Sequence, residues 1–185
     1  MQEKMLQVKI DGKEKTYREG TRYLDAAQEL QKYADSRIVL ASVNGRLKEL
    51  TKKMKDGEEI CLLTLKDKNG FMTYRRSMIL LMLKAVYTVG GFELVDRVGI
   101  HYSVGSGFYV TISGEKKTDP TFLKQVKQAM REMVEKKLPI TKTSISTDEA
   151  IELFRRLGME DKEKLFHYRI ASKVNIYDLA GFKDY

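Results

Sequence analysis

The sequence predicts an α+β fold in two parts, a small β-grasp unit over residues 1–66 and a second α+β unit over residues 71–185. Three observations carry this expectation. Strand and helix periodicities run strand, strand, helix and then further strands within the first 65 residues, which is the β-grasp order. A polar, turn-rich run, Lys66-Asp67-Lys68-Asn69-Gly70, then breaks the pattern. Beyond it helical and β-prone stretches alternate, on a composition of 42% hydrophobic and 32% charged residues that suits packed domains rather than disorder.

Met5 to Ile10 alternates apolar and polar side chains, as a half-buried strand does. Asp11-Gly12 is a strong hairpin signal, because both turn positions need positive φ, and residues 13–18 supply the return strand. Thr21 stands where it can cap a helix over 22–33, with Leu24, Ala27, Leu30 and Gln31 at helical spacing. Ile38 to Val43 is a β-branched run ended by the Asn44-Gly45 turn, and Leu47 to Leu50 makes a short strand. Glu59 to Leu65 reads as an apolar strand for the sheet centre, where Cys61 is a small buried filler. As the sole cysteine, Cys61 cannot form an intrachain disulfide.

In the second unit, Tyr74 to Tyr87 is apolar nearly all round and predicts a buried helix. Residues 93–113 form a β-segment interrupted by Gly105-Ser106-Gly107. Asp119-Pro120 opens a helix that runs to about Lys137. Its apolar stripe is Leu123, Val126, Met130, Met133 and Val134, and Lys124, Lys127 and Arg131 occupy the opposite face. After Pro139 comes a strand, Ile140 to Ser146. Ser146/Thr147 before Asp148-Glu149 starts a helix that ends at Gly158, although Thr147 with Ala150 gives no full capping box. A charged helix ending at His167 and a final strand, Lys173 to Leu179, complete the reading.

The net charge of +8 permits an acidic partner such as RNA. The charge is spread, however: residues 1–66 carry 14 basic and 11 acidic side chains, residues 67–185 carry 20 and 15. The best local basic strip is Lys116, Lys117, Lys124, Lys127 and Arg131. Met-Gln-Glu-Lys at the start lacks the apolar core of a signal peptide, and the longest apolar run, Met78 to Leu83, falls short of the roughly 20 residues of a membrane span. A cytoplasmic location without a membrane partner is expected. No phosphate-binding Gly-x-x-x-x-Gly-Lys-Ser/Thr loop occurs, and Gly105-Ser-Gly reads as a hairpin or bulge. No serine sits in a nucleophile elbow. His101 and His167 lie far apart, without a cysteine or acidic residue at ligand spacing, so neither catalysis nor a metal is expected within these residues.

Val8-Lys-Ile-Asp-Gly-Lys, Glu19-Gly-Thr, Val43-Asn-Gly-Arg-Leu and Asp56-Gly-Glu-Glu-Ile resemble TGS domains, the ubiquitin-like β-grasp module of synthetases, GTPases and stringent-response proteins. The remainder is similar to the second additional (editing) domain of bacterial threonyl-tRNA synthetase. Tyr74-Arg-Arg-Ser stands for that family's Tyr-Arg-His-Ser, and Ser106-Gly-Phe-Tyr for its Asn-Gly-Phe-Tyr. Lys137-Leu-Pro-Ile and Glu149-Ala-Ile-Glu-Leu-Phe-Arg-Arg-Leu-Gly match a helix end, strand and helix. The resemblance implies an editing-like α+β fold. It also implies where a hydrolytic metal would have been held: two histidines one turn apart on the first helix, and a cysteine and a histidine near the last strand. Here those positions are Arg76, Leu80, Ala180 and Asp184. Arg keeps its proton and Leu and Ala offer no ligand atom, so only Asp184 could coordinate and misacyl-tRNA deacylation is the least expected activity.

His101-Tyr-Ser-Val-Gly-Ser-Gly-Phe-Tyr and Ile176-Tyr-Asp-Leu-Ala-Gly-Phe-Lys-Asp-Tyr also resemble the corresponding segments of bacterial uridine-type nucleoside kinases that carry both domains. This implies a regulatory region, incomplete at Tyr185, whose partner is its own downstream kinase domain and whose ATP and Mg belong to that domain alone. Arg75 and Arg76 could then offer guanidinium forks to a phosphate or carboxylate in the residual cleft. His101, Ser103 and Tyr109 come from the strand region that the resemblance places beside that cleft, a setting for a nucleoside-like ligand. RNA or tRNA binding through the basic strip is the alternative.

Overall fold

The alternation in Met5–Ile10 buries Leu6, Val8 and Ile10 and leaves Met5, Gln7 and Lys9 exposed, so this strand (β1) has one core face. The computed structural model describes residues 4–105 and 107–185, which divide into two compact units on either side of Ser77 and Met78. In the first, β1 turns through Asp11 and Gly12, at φ 47° and 82°, into β2 (Lys13–Arg18). Helix α1 (Tyr23–Leu30), prolonged by a 3-10 turn over Gln31–Tyr33, leads to β3 (Ile38–Val43), β4 (Arg46–Lys48) and β5 (Glu59–Thr64). The sheet order is β2-β1-β5-β3-β4, with β5 parallel to β1 and antiparallel to β3, which is the β-grasp with β5 at its centre.

Three details differ from the sequence reading. The residue before α1 is Arg22, whose N–H donates to the Asp25 carboxylate at 2.8 Å, while the Thr21 hydroxyl donates to the Arg18 carbonyl instead of capping. The core face of α1 is Tyr23, Ala26 and Ala27, with Leu24 and Leu30 only half-buried, because small alanines let the helix approach the sheet. Cys61 lies on the exposed face of β5, since the strand alternates and Ile60 and Leu62 take the core side.

The core also contains a polar group. Glu58 is buried, and its carboxylate accepts from Tyr23 Oη at 2.6 Å, Lys48 Nζ at 2.8 Å and the Lys55 N–H at 2.9 Å. A buried carboxylate is tolerated when its lone pairs are met in this way. Burial pushes its pKa up, but the donors outweigh burial and hold it below the ordinary 4.5.

Helix α2 (Lys68–Gly90) begins inside the polar run that reads as a break. Asp67 accepts from the Thr64 N–H and hydroxyl at 2.7 and 2.8 Å, and its own carbonyl receives the Phe71 N–H at 2.8 Å. The turn residues therefore start a helix. A Cβ on Gly70 would lie 2.0 Å from the Thr64 carbonyl oxygen, so only glycine allows this close approach. The later half of α2 is buried through Leu80, Leu81, Leu83, Ala85, Val86 and Tyr87, whereas Tyr74 is exposed, so the helix is not apolar-buried throughout.

In the second unit, β6 (Arg97–Val104) and β7 (Gly107–Ser113) form a separate two-stranded hairpin; Ser106 lies outside the described residues. Helix α3 (Pro120–Glu135) is capped by Asp119, which accepts from the Phe122 N–H at 2.8 Å. It buries Phe122, Val126 and Met133, while Leu123 and Val134 are 56% and 60% exposed. At 3.6 residues per turn those two lie about 100° off the buried direction. Strand β8 (Ile140–Ser146) feeds α4 (Thr147–Arg156) through a complete capping box, Ser146 with Glu149, one residue before the incomplete Thr147/Ala150 pair. Helix α5 (Glu160–His167), β9 (Lys173–Leu179) and β10 (Phe182–Asp184) follow. Strand β10 was not foreseen; its tight turn places Ala180 and Gly181 at φ 48° and 89°, a conformation alanine seldom signals. The order of this sheet is β10-β9-β8. Its core gathers α2, the stacked Phe154 and Phe166 rings, Val174, Ile176 and Phe182.

Candidate functional site

Two groups of residues bear on function, the positions where the resemblance leads one to expect metal ligands and the β6–β7 hairpin. On α2, Arg76 is exposed and belongs to the first unit, and Leu80, one helical turn later, is 7% exposed in the core of the second. Arg75 is half-buried with its guanidinium 5.6 Å from the Phe71 ring centroid. Within the second unit, Lys84, a turn beyond Leu80, donates from Nζ to the Ala180 carbonyl at 2.9 Å. Asp184 is 6% exposed, and its Oδ1 lies 2.7 Å from Lys162 Nζ, an ammonium that also sits 5.6 Å over the Phe154 ring.

These residues do not fit a metal. Leu80 and Ala180 bring no donor atom, and Arg76 carries a cation of its own. The remaining carboxylate, Asp184, already has its charge met by Lys162 in a setting where an unpaired charge would be costly. Among the described residues no group of three or more His, Cys, Asp or Glu is placed to hold an ion. His167 Nε2 is 3.9 Å from Glu163 one turn back on α5, a local pair.

The hairpin brings His101 and Tyr109 together, while Ser103 pairs across the ladder with Phe108. His101 Nε2 shares a hydrogen bond with Thr111 Oγ1 at 2.8 Å, and its ring centroid is 5.5 Å from that of Tyr109. Tyr102 stacks on Tyr109 at 5.4 Å and 19°. Successive residues on a regular strand point to opposite faces. Here the register shifts between Ile100 and Ser103, and this irregularity sets His101 and Tyr102 both against Tyr109. Gly99 makes the room: a Cβ there would stand 2.8 Å from Thr111 Oγ1 and 3.0 Å from His101 Nε2. Tyr102 and Tyr109 remain 64% and 48% exposed, so the rings present an open aromatic surface. Sequence reasoning missed Tyr102, because it rests on a bulge that has no composition signal. Arg75 and Arg76 belong to the other unit.

The basic strip is partly gathered. Lys124, Lys127 and Arg131 are exposed on α3. Lys116 and Lys117 line a shallow depression of ≈ 210 Å³ with Asp119, Thr121, Phe122 and Gln125, and Lys116 Nζ lies 5.7 Å from the Phe122 ring centroid. Among the described residues none of these cations is in an ion pair.

Comparison with known proteins agrees with the architecture. Residues 9–64 match the TGS domain family. The chain is 32% identical over 182 residues to the threonine–tRNA ligase of Thermotoga maritima, covering 97% of this chain and 27% of that protein. It is 30% identical over 182 residues to the threonine–tRNA ligase of Syntrophotalea carbinolica, covering 97% and 28%. Against that of Geobacillus kaustophilus it is 27% identical over 175 residues, covering 94% and 26%. The chain thus spans about a quarter of the length of the curated relatives it matches. The homology is to the N-terminal region of threonyl-tRNA synthetase, a TGS β-grasp followed by an editing-like α+β region. No helix among the described residues is long and apolar enough to cross a membrane.

Proposed function

We propose that this region is a non-catalytic accessory module of a longer protein, derived from a synthetase editing region and used for ligand sensing or domain docking. One observation carries the reading: Asp184 is neutralised by Lys162 at 2.7 Å, and with Arg76, Leu80 and Ala180 at the other positions where the resemblance expects metal ligands, the four cannot act together on a metal. In its finer form the parent is a uridine-type nucleoside kinase, supported by the resemblance of the His101–Tyr109 and Ile176–Tyr185 segments to that group. The exposed rings of Tyr102 and Tyr109 beside His101 and Ser103 then offer stacking and hydrogen bonding to a nucleoside-like ligand.

A second reading, tRNA binding, is favoured by the similarity to threonine–tRNA ligases and by the cations Lys116, Lys117, Lys124, Lys127 and Arg131, which make no ion pair among the described residues. Binding of uridine or UTP and of unfractionated tRNA, each measured over a salt series, separates the two. Nucleoside binding with little salt dependence, lost in Tyr109→Ala, supports sensing. Binding of tRNA that weakens steeply with salt, and weakens uniformly in Lys124→Glu/Lys127→Glu, supports the second. Release of the amino acid from misacylated tRNA that rises on adding zinc would overturn both in favour of a working deacylase.

A further inference from the structure

Edge strands are pairing templates, and soluble proteins blunt them with charge, proline, bulges or brevity. Most edges here follow that rule. Strand β2 carries Lys13, Lys15 and Arg18, β8 carries Lys142, and β4 and β10 are three residues each. On the hairpin, β6 bears Arg97 and the irregularity between Ile100 and Ser103.

Strand β7 is the exception. Gly-Phe-Tyr-Val-Thr-Ile-Ser contains no charge and no proline, is rich in β-branched and aromatic residues, and runs seven residues. The extra residue of the register shift lies in β6, because three steps from Ile100 to Ser103 face two from Val110 to Phe108, so β7 itself stays regular. One side of β7 pairs with β6, and among the described residues no strand lies along the other.

We infer that β7 is a self-association edge: two copies of this chain pair antiparallel along Gly107–Ser113 about a two-fold axis at Val110, joining the hairpins into one four-stranded sheet. A two-fold contact must be self-complementary, and this strand is. Centred on Val110, Tyr109 faces Thr111 of the second copy and Phe108 faces Ile112, the aromatic–β-branched pairs that stabilise antiparallel sheets. No like charges meet within the segment. Lys116 and Lys117 fall beyond it, level with the uncharged Val104 and Ser103 of the second copy. A two-stranded sheet is marginal in water, and doubling it supplies the strands it lacks.

Sedimentation velocity of the full chain over a concentration series tests this, with a monomer–dimer equilibrium expected. Tyr109→Lys/Thr111→Lys sets like charges opposite each other twice across the axis and raises the dimer Kd by about tenfold. Tyr109→Lys/Thr111→Glu sets opposite charges at the same places and retains the dimer. Hydrogen exchange on the unmodified chain gives a measure that needs no variant: protection of the β7 amides increases with protein concentration. A chain monomeric throughout, a dimer indifferent to both variants, a dimer lost equally in both, or β7 protection independent of concentration would overturn the inference.

Discussion

At the scale of single residues, Glu58 shows how a buried charge is kept. Tyr23→Phe removes the 2.6 Å donor and leaves the carboxylate one partner short, an expected loss of about 1–3 kcal/mol by urea unfolding. The same group gives a pH signature. Its folded pKa lies below the ordinary 4.5, so its contribution is complete above the ordinary carboxylate range and is lost as pH falls through the lower folded value. Acid titration of unfolding should therefore show a steeper fall in the parent than in Glu58→Gln. Cys61 gives a second expectation. Desolvation, then the Asp11 carboxylate beside it, pushes its thiol above the ordinary 9.0, so this exposed cysteine should alkylate slowly at neutral pH. In Asp11→Asn the iodoacetamide rate should rise, and an unchanged rate would remove Asp11 as the cause.

At the scale of elements, starts and stops decide more than stripes do. Ser146→Ala breaks the capping box of α4 and should cost about 1 kcal/mol in a thermal or urea melt. Gly70→Ala drives a methyl against the Thr64 carbonyl and should cost about 1–3 kcal/mol, whereas alanine at an ordinary helical glycine would stabilise. These same places explain what the sequence could and could not tell. Asp11-Gly12, Asn44-Gly45, Asp119-Pro120 and the β-branched strands were legible because their chemistry is local. The start of α2 was not, because Lys66 to Gly70 looks like a loop until Asp67 is seen to hold Thr64. The exposed sides of Leu123, Val134 and Cys61 depend on which face the rest of the fold covers, which no short window records.

At the scale of the whole molecule, the sequence carried the β-grasp and the α+β region after it, because both are read by element order and residue type. It did not carry their side-chain contacts: the Lys162–Asp184 pair, the Lys84 bond to Ala180, or the stacking of Tyr102. Zinc added in excess should leave the melting temperature where EDTA leaves it, since a ligand that does not bind the folded state cannot stabilise it. Lys162→Ala should instead cost about 3–5 kcal/mol by stranding Asp184. Leu80→His would place an imidazole in a hydrocarbon core, and Ala180→Cys would add a thiol beside a carbonyl already engaged by Lys84. The histidine at position 80 would forfeit stability before any ion could be held, so packing as well as ligand chemistry keeps a metal from this part of the fold.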